Sequence, residues 1–201
     1  MSNQGKMDCG RRRLIVATAA VGGSGVLAAL VPFVSTMLPS ERAKAAGAPV
    51  EVDISKLETG QIMTVEWRGK PVWIVNRTQE MLDTLSSLDS AVSDPKSEKA
   101  EQPQYCEGVS RTIKGRNPAI SVMIGVCTHL GCSPTTKFKN GAEEGMPADW
   151  KGGFLCPCHG STFDLSGRVF KNKPAPTNLP IPPYRYLSDT RILIGEDTQG
   201  A

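Results

Sequence analysis

The sequence predicts a mainly β domain carried behind one N-terminal transmembrane helix. Residues 14–38 are 25 consecutive positions without a charge, long enough for a membrane-crossing helix. The rest is loop-rich: 20 Gly and 15 Pro in 201 residues separate short branched apolar runs, a pattern of strands and not of a helical bundle. Both histidines of the chain and four of its six cysteines fall between residues 127 and 159, so most side chains able to hold a soft or borderline metal sit in one stretch.

The charge is unevenly placed. Residues 1–48 carry six Lys/Arg against two Asp/Glu, and residues 49–201 carry 17 against 18. The domain therefore has no basic excess of the kind that binds nucleic acid. The basic residues Lys6 and Arg11-Arg12-Arg13 precede the apolar run. Positive-inside bias puts residues 1–13 in the cytoplasm, residues 14–38 across the bilayer and the domain on the far side. The arginine pair reads as a twin-arginine export signal in front of an uncleaved anchor. Ala43-Lys44-Ala45 offers the other reading, a cleaved signal peptide, but the run is longer than a signal core. Residues 39–49 are small and polar and read as a tether, either coil or a short Ala-rich helix.

In the domain, residues 50–54 alternate and predict a first strand. Residues 61–67 and 71–76 are β-rich runs around Arg68-Gly69-Lys70, a hairpin signal. Residues 78–92 place Met81, Leu82, Leu85 and Leu88 at helical spacing. Residues 94–107 read as loop, and residues 119–126 as an apolar strand leading into the cysteines. Residues 136–151 form a polar insertion, and residues 153–155 lead into the second cysteine group. A turn is predicted around Gly167. Residues 173–184 hold five prolines and must be extended and rigid. Residues 191–195 make a last strand.

The cysteines and histidines form two boxes, Cys127-Thr128-His129-Leu130-Gly131-Cys132 and Cys156-Pro157-Cys158-His159-Gly160-Ser161. A structural zinc site would use four of these six ligands and leave two over. A cysteine-only iron–sulfur cluster would leave both histidines without a role. A mixed site, with one Cys and one His from each box, is the most economical.

These boxes closely resemble the two cluster-binding boxes of Rieske iron–sulfur proteins. The twin-arginine anchor, the Ala/Gly tether and the Pro-rich segment extend the resemblance to Rieske subunits of bacterial ubiquinol–cytochrome c reductases, over nearly the whole chain. The resemblance implies a Rieske-type antiparallel β domain over residues 50–201, with a smaller cluster-binding subdomain at about residues 120–185. It implies one [2Fe–2S] cluster, with Cys127 and Cys156 on one iron and His129 and His159 on the other. Cys132 and Cys158 would form a disulfide joining the loops. Gly131 and Gly160 would allow the tight turns, Ser161 would bond a cluster sulfide, and Leu130 would dock at the tip. His159 would contact quinol and accept its proton. The implied partners are a cytochrome b subunit, a membrane-anchored cytochrome c subunit, quinol and the lipid bilayer, in a dimeric complex.

The sequence departs from the family pattern in two places. Phe163 stands where quinol-oxidising members commonly have a tyrosine that donates to a cysteine ligand, and Lys173 stands where a glycine is usual before Pro174-Ala175-Pro176. The missing hydroxyl predicts a lower potential. Ser161 favours ubiquinol, while Phe163 leaves menaquinol open. Cys9 reads as a free thiol in a reducing compartment and Cys106 as a small buried residue. Of the rival functions, a ring-hydroxylating oxygenase needs a second iron on histidines, and both histidines are already used. A soluble periplasmic Rieske carrier or the small subunit of a molybdenum oxidoreductase would follow from cleavage near Ala45. A zinc-stabilised binding module would lack colour and a paramagnetic signal.

Overall fold

A computed structural model describes residues 9–99, 101–106 and 108–197. Lys6, within the predicted cytoplasmic segment, lies outside the described residues. The chain divides into two units, residues 1–45 and 46–201.

The first unit is dominated by helix α1, Cys9–Thr36, whose 28 residues span about 42 Å. None of its residues is buried, and its length and composition suffice to cross a membrane. Its hydroxyls need no outside partner. Thr18, Ser24, Ser35 and Thr36 each bond back to a carbonyl three or four residues earlier, at 2.7–3.0 Å. Such self-satisfaction is what a lipid environment requires of polar groups. A short helix α2, Glu41–Ala46, follows; the Ser40 hydroxyl accepts the Ala43 amide at its start. Of the two conformations open to the tether, the helical one is seen.

The second unit contains three antiparallel three-stranded sheets, of order β1-β9-β8, β2-β3-β4 and β5-β6-β7. The strands are β1 Val50–Asp53, β2 Ile62–Trp67, β3 Lys70–Asn76, β4 Ile120–Ile124, β5 Thr135–Lys137, β6 Gly153–Leu155, β7 Thr162–Phe163, β8 Tyr184–Ser188 and β9 Arg191–Ile194. The predicted hairpin joins β2 to β3, with Arg68 and Gly69 both at positive φ, +51° and +69°. The predicted helix is α3, Gln79–Ser87, capped by the Thr78 hydroxyl, and it ends earlier than its apolar spacing suggested. Residues 88–91 turn instead, and Val92 bridges to Phe170.

The sheet β2-β3-β4 is the middle layer, which explains its unbroken apolar runs. Val72, Ile74, Val122 and Ile124 face a core shared with Val52, Tyr184, Ile192 and Ile194 of the first sheet. Trp73, Val75 and Met123 point the other way, into a second core with Phe154, Phe163, Cys127 and Cys156. Trp73 stacks on Phe154 with ring centroids 4.8 Å apart. A Cβ on Gly125 would run into the Trp73 ring, so only glycine fits there. The first box thus leaves a strand buried on both faces, and the second leaves β6 in the same core.

Four strands were not legible in the sequence. The polar insertion begins with β5, β6 leads into the second box, the two-residue β7 follows that box, and the Pro-rich segment gives way to β8 at Tyr184.

Candidate metal centre

The two boxes fold into loops with the same backbone bonds. In the first, the Gly131 amide donates to the Cys127 carbonyl (3.0 Å) and the Cys127 amide to the Cys132 carbonyl (2.8 Å). In the second, Gly160 donates to Cys156 (3.0 Å) and Cys156 to Ser161 (2.7 Å). Gly131 and Gly160 close these turns at φ +83° and +73°. A Cβ on either would meet nothing within 4 Å, so glycine is needed for conformation and not for space.

The side chains on these matched loops are offset. Histidine lies two residues after the first cysteine in one box and three residues after it in the other. Cys127 and Cys156 are buried free thiols, and their sulfurs are hydrogen-bonding neighbours. His129 is half-buried and His159 exposed, and their rings meet edge to face with centroids 4.8 Å apart. Cys132 and Cys158 are joined by a disulfide. The sulfurs of Cys132, Cys156 and Cys158 lie within 4.8 Å of one another, but two of them are committed to that bond and cannot serve as thiolate ligands. The donor set left on the two loops is two buried thiols and two imidazoles, which fits a [2Fe–2S] cluster with mixed ligands.

Burial pushes the Cys127 thiol up, while the His129 amide pulls it down and the neighbouring Cys156 pushes it up further. Binding a metal at these thiols releases their protons. The Ser161 hydroxyl is fully buried, faces the Cys127 sulfur and accepts the Ala175 amide at 3.0 Å. With that lone pair engaged, its proton is free to point toward sulfur. The Thr128 hydroxyl donates to the Thr177 carbonyl at 2.7 Å. Both boxes are thus tied to the Pro-rich segment. Leu130 is 71% exposed beside His129, unlike any apolar residue of the cores. Phe163 is fully buried against Cys127, Cys156, Phe154 and Val169.

Sequence reasoning missed the arginines below this site. Arg77, Arg111 and Arg168 are fully buried and converge on residues 164–168, the turn after β7. The residues of that turn that Arg77 and Arg111 bond lie 55 to 89 positions away in the chain, so no local pattern marks them.

Comparison with known proteins adds the family evidence. Residues 49–184 match the family model described as Rieske [2Fe-2S] domain, and residues 1–40 match the one described as Ubiquitinol-cytochrome C reductase Fe-S subunit TAT signal. The ubiquinol–cytochrome c reductase iron–sulfur subunit of Allochromatium vinosum is 59% identical over 201 residues, covering 100% of this chain and 95% of that protein. The subunit of the same name from Bradyrhizobium diazoefficiens is 44% identical over 183 residues, covering 90% and 92%. A chain of the solved hyperthermophilic respiratory Complex III is 28% identical, covers 88% of this chain and 97% of its own, and superposes with a TM-score of 0.45.

Proposed function

The chain belongs to the Rieske family, among the iron–sulfur subunits of ubiquinol–cytochrome c reductase, and from that premise we propose how its residues serve quinol oxidation. It is a subunit of an oxidoreductase, carries a [2Fe–2S] domain, and has the export signal and apolar helix of a single-pass membrane-anchored subunit.

The chain takes one electron from quinol at the cytochrome b subunit and delivers it to a cytochrome c-type haem on a membrane-anchored subunit. When bound, the [2Fe–2S] cluster supplies a one-electron couple, raised by its two neutral imidazoles into the range of roughly −150 to +300 mV. Cys127 and Cys156 would hold one iron, their burial keeping water from the sulfurs, and His129 and His159 would hold the other. The Cys132–Cys158 bond keeps the two loops together, and Gly131 and Gly160 aim amides toward sulfur. Ser161 donates a hydrogen bond that favours the more negative, reduced state.

His159 is exposed, so its outer ring nitrogen can accept the quinol hydroxyl as a hydrogen-bond partner and take its proton. Leu130 supplies the apolar contact at that tip. Residues 1–13 stay in the cytoplasm, residues 14–38 span the inner membrane, and residues 39–49 tether the periplasmic domain. Within a dimeric complex the tether lets the domain visit both partners.

The observation that carries this reading is the pairing of a buried thiol pair with an exposed histidine at one tip. A redox titration of the membrane-bound protein at several pH values tests it. The midpoint falls with rising pH once a ligand histidine loses its proton. A midpoint independent of pH up to 10 would rule out proton exchange at His159.

A further inference from the structure

Among the described residues, two of the three buried arginines have no ion pair with a carboxylate. Arg168 pairs with Asp164 at 2.7 Å and with Asp89 at 2.6 Å. Among the described residues, Arg77 and Arg111 bond only to carbonyls and neutral side chains. Buried Asp164 and Asp94 act on Arg111 from farther away. Burial pushes Arg111 down to about 10, with Asp164 the main opposing influence.

Arg111 is also strained, with φ +51° in the left-handed region. A residue that is both strained and buried with a charge must be fixed by its surroundings, and such positions gather at functional sites. Its Nε donates to Gln102 Oε1 (2.9 Å), Nη1 to the Ser166 carbonyl (2.9 Å) and Nη2 to the Leu179 carbonyl (2.7 Å). Ser166 and Leu179 are the two feet of an arch, residues 166–179. The Leu179 amide donates to the Gly167 carbonyl at 2.8 Å, and a Cβ on Gly167 would come within 3.2 Å of Arg111 Nη1. The feet therefore pinch around the guanidinium. The top of the arch carries Ala175, whose amide holds the Ser161 hydroxyl, and Thr177, whose carbonyl holds Thr128.

We propose that Arg111 is a positioning residue for the metal centre: its guanidinium closes the arch that orients the Ser161 hydroxyl, and its fixed charge favours the reduced cluster. This rests on the reading of the chain as a Rieske electron carrier. Ser161 and Ser166 are five residues apart, at most about 18 Å of extended chain. The guanidinium thus lies within roughly 20 Å of the Ser161 hydroxyl. At an effective dielectric of about 20, a unit charge at that distance shifts a one-electron equilibrium about fourfold, or about 35 mV.

The test is a redox titration of the full-length membrane-bound protein, followed by electron paramagnetic resonance. Arg111→Met removes fork and charge, and the midpoint falls by about 35 mV or more. Arg111→Lys keeps the charge without the two-carbonyl fork, and its midpoint falls less. Gln102→Glu keeps the fork but sets a carboxylate against Nε; its midpoint falls while the line shape stays that of the unaltered protein. Should Arg111→Met assemble no cluster, Gln102→Glu decides alone. A wild-type midpoint in Gln102→Glu, or in a cluster-loaded Arg111→Met, overturns the proposal. Absence of any reduced-cluster signal from the unaltered protein would sink the underlying reading instead.

Discussion

Replacing Phe163 with tyrosine adds one hydroxyl to the buried wall beneath the two free thiols. Phe163 is fully buried and packs with Cys127, Cys156, Phe154 and Val169, so the new group cannot reach bulk water. Two outcomes compete. If the hydroxyl donates to a cysteine sulfur, it stabilises the reduced state more than the oxidised one, because the reduced state is one charge more negative. A differential of about 1 kcal/mol, modest for a hydrogen bond to a charged group, raises a one-electron midpoint by roughly 40 mV. If it finds no sulfur, the cost is an unsatisfied buried polar group, about 1–3 kcal/mol of stability, with no gain in potential. Overpacking adds to that cost, since the site is already filled. Redox titration and thermal unfolding of the same variant separate the two. The expectation is a higher midpoint with stability nearly retained. An unchanged or lower midpoint refutes the claim that the missing hydroxyl lowers the potential of this chain.

Gly131→Ala and Gly160→Ala should each cost about 1–2 kcal/mol from backbone conformation alone and reduce bound iron per chain, measured by unfolding and metal analysis. Gly125→Ala should cost more despite its ordinary φ, because its Cβ would run into the Trp73 ring; equal losses at all three positions would contradict this division. Leu130→Ala should leave stability within about 0.5 kcal/mol and the midpoint unchanged, yet slow quinol turnover in membranes; full turnover would remove Leu130 from the docking surface. Burial pushes the Cys106 thiol up from 9.0 to about 12, so the folded domain keeps a proton that the unfolded chain releases. That stability is whole below pH 9 and is lost as pH rises toward 12. Cys106→Ala should flatten the alkaline decline by up to about 1.4 kcal/mol per pH unit, read from denaturant unfolding between pH 8 and 11.

The boxes were legible because their residue types are scarce: with two histidines in the chain, their coincidence with paired cysteines carried chemical meaning. The strands β1 to β4 and β9 were legible because apolar periodicity and turn residues agree there. β5 reads Thr-Thr-Lys and β7 is two residues long, so their strand character comes from pairing with β6 and not from pattern. The disulfide came from family resemblance and is present between the expected cysteines. The arginine clasp was not legible. Arg77 and Arg111 look like surface cations until the fold brings residues 164–168 and 179 to them across 55 to 89 positions of chain. Asn178 is hidden in the same way: its buried amide ties Val169 to Asp94 and Ser97, a join no local window contains.

The Cys132–Cys158 bond closes 26 residues of chain, the β5–β6 hairpin among them, into a covalent ring. Residues 142, 144, 145 and 147–149 are exposed at its far end. A protease nick there would open the ring without separating the halves. The nicked chain would migrate as one species until reductant is added and then part into two fragments with one histidine each. The same stretch can take an inserted peptide, since lengthening a loop costs only about 0.6 kcal/mol per doubling. The domain therefore offers a place to attach a reporter that leaves the tip free.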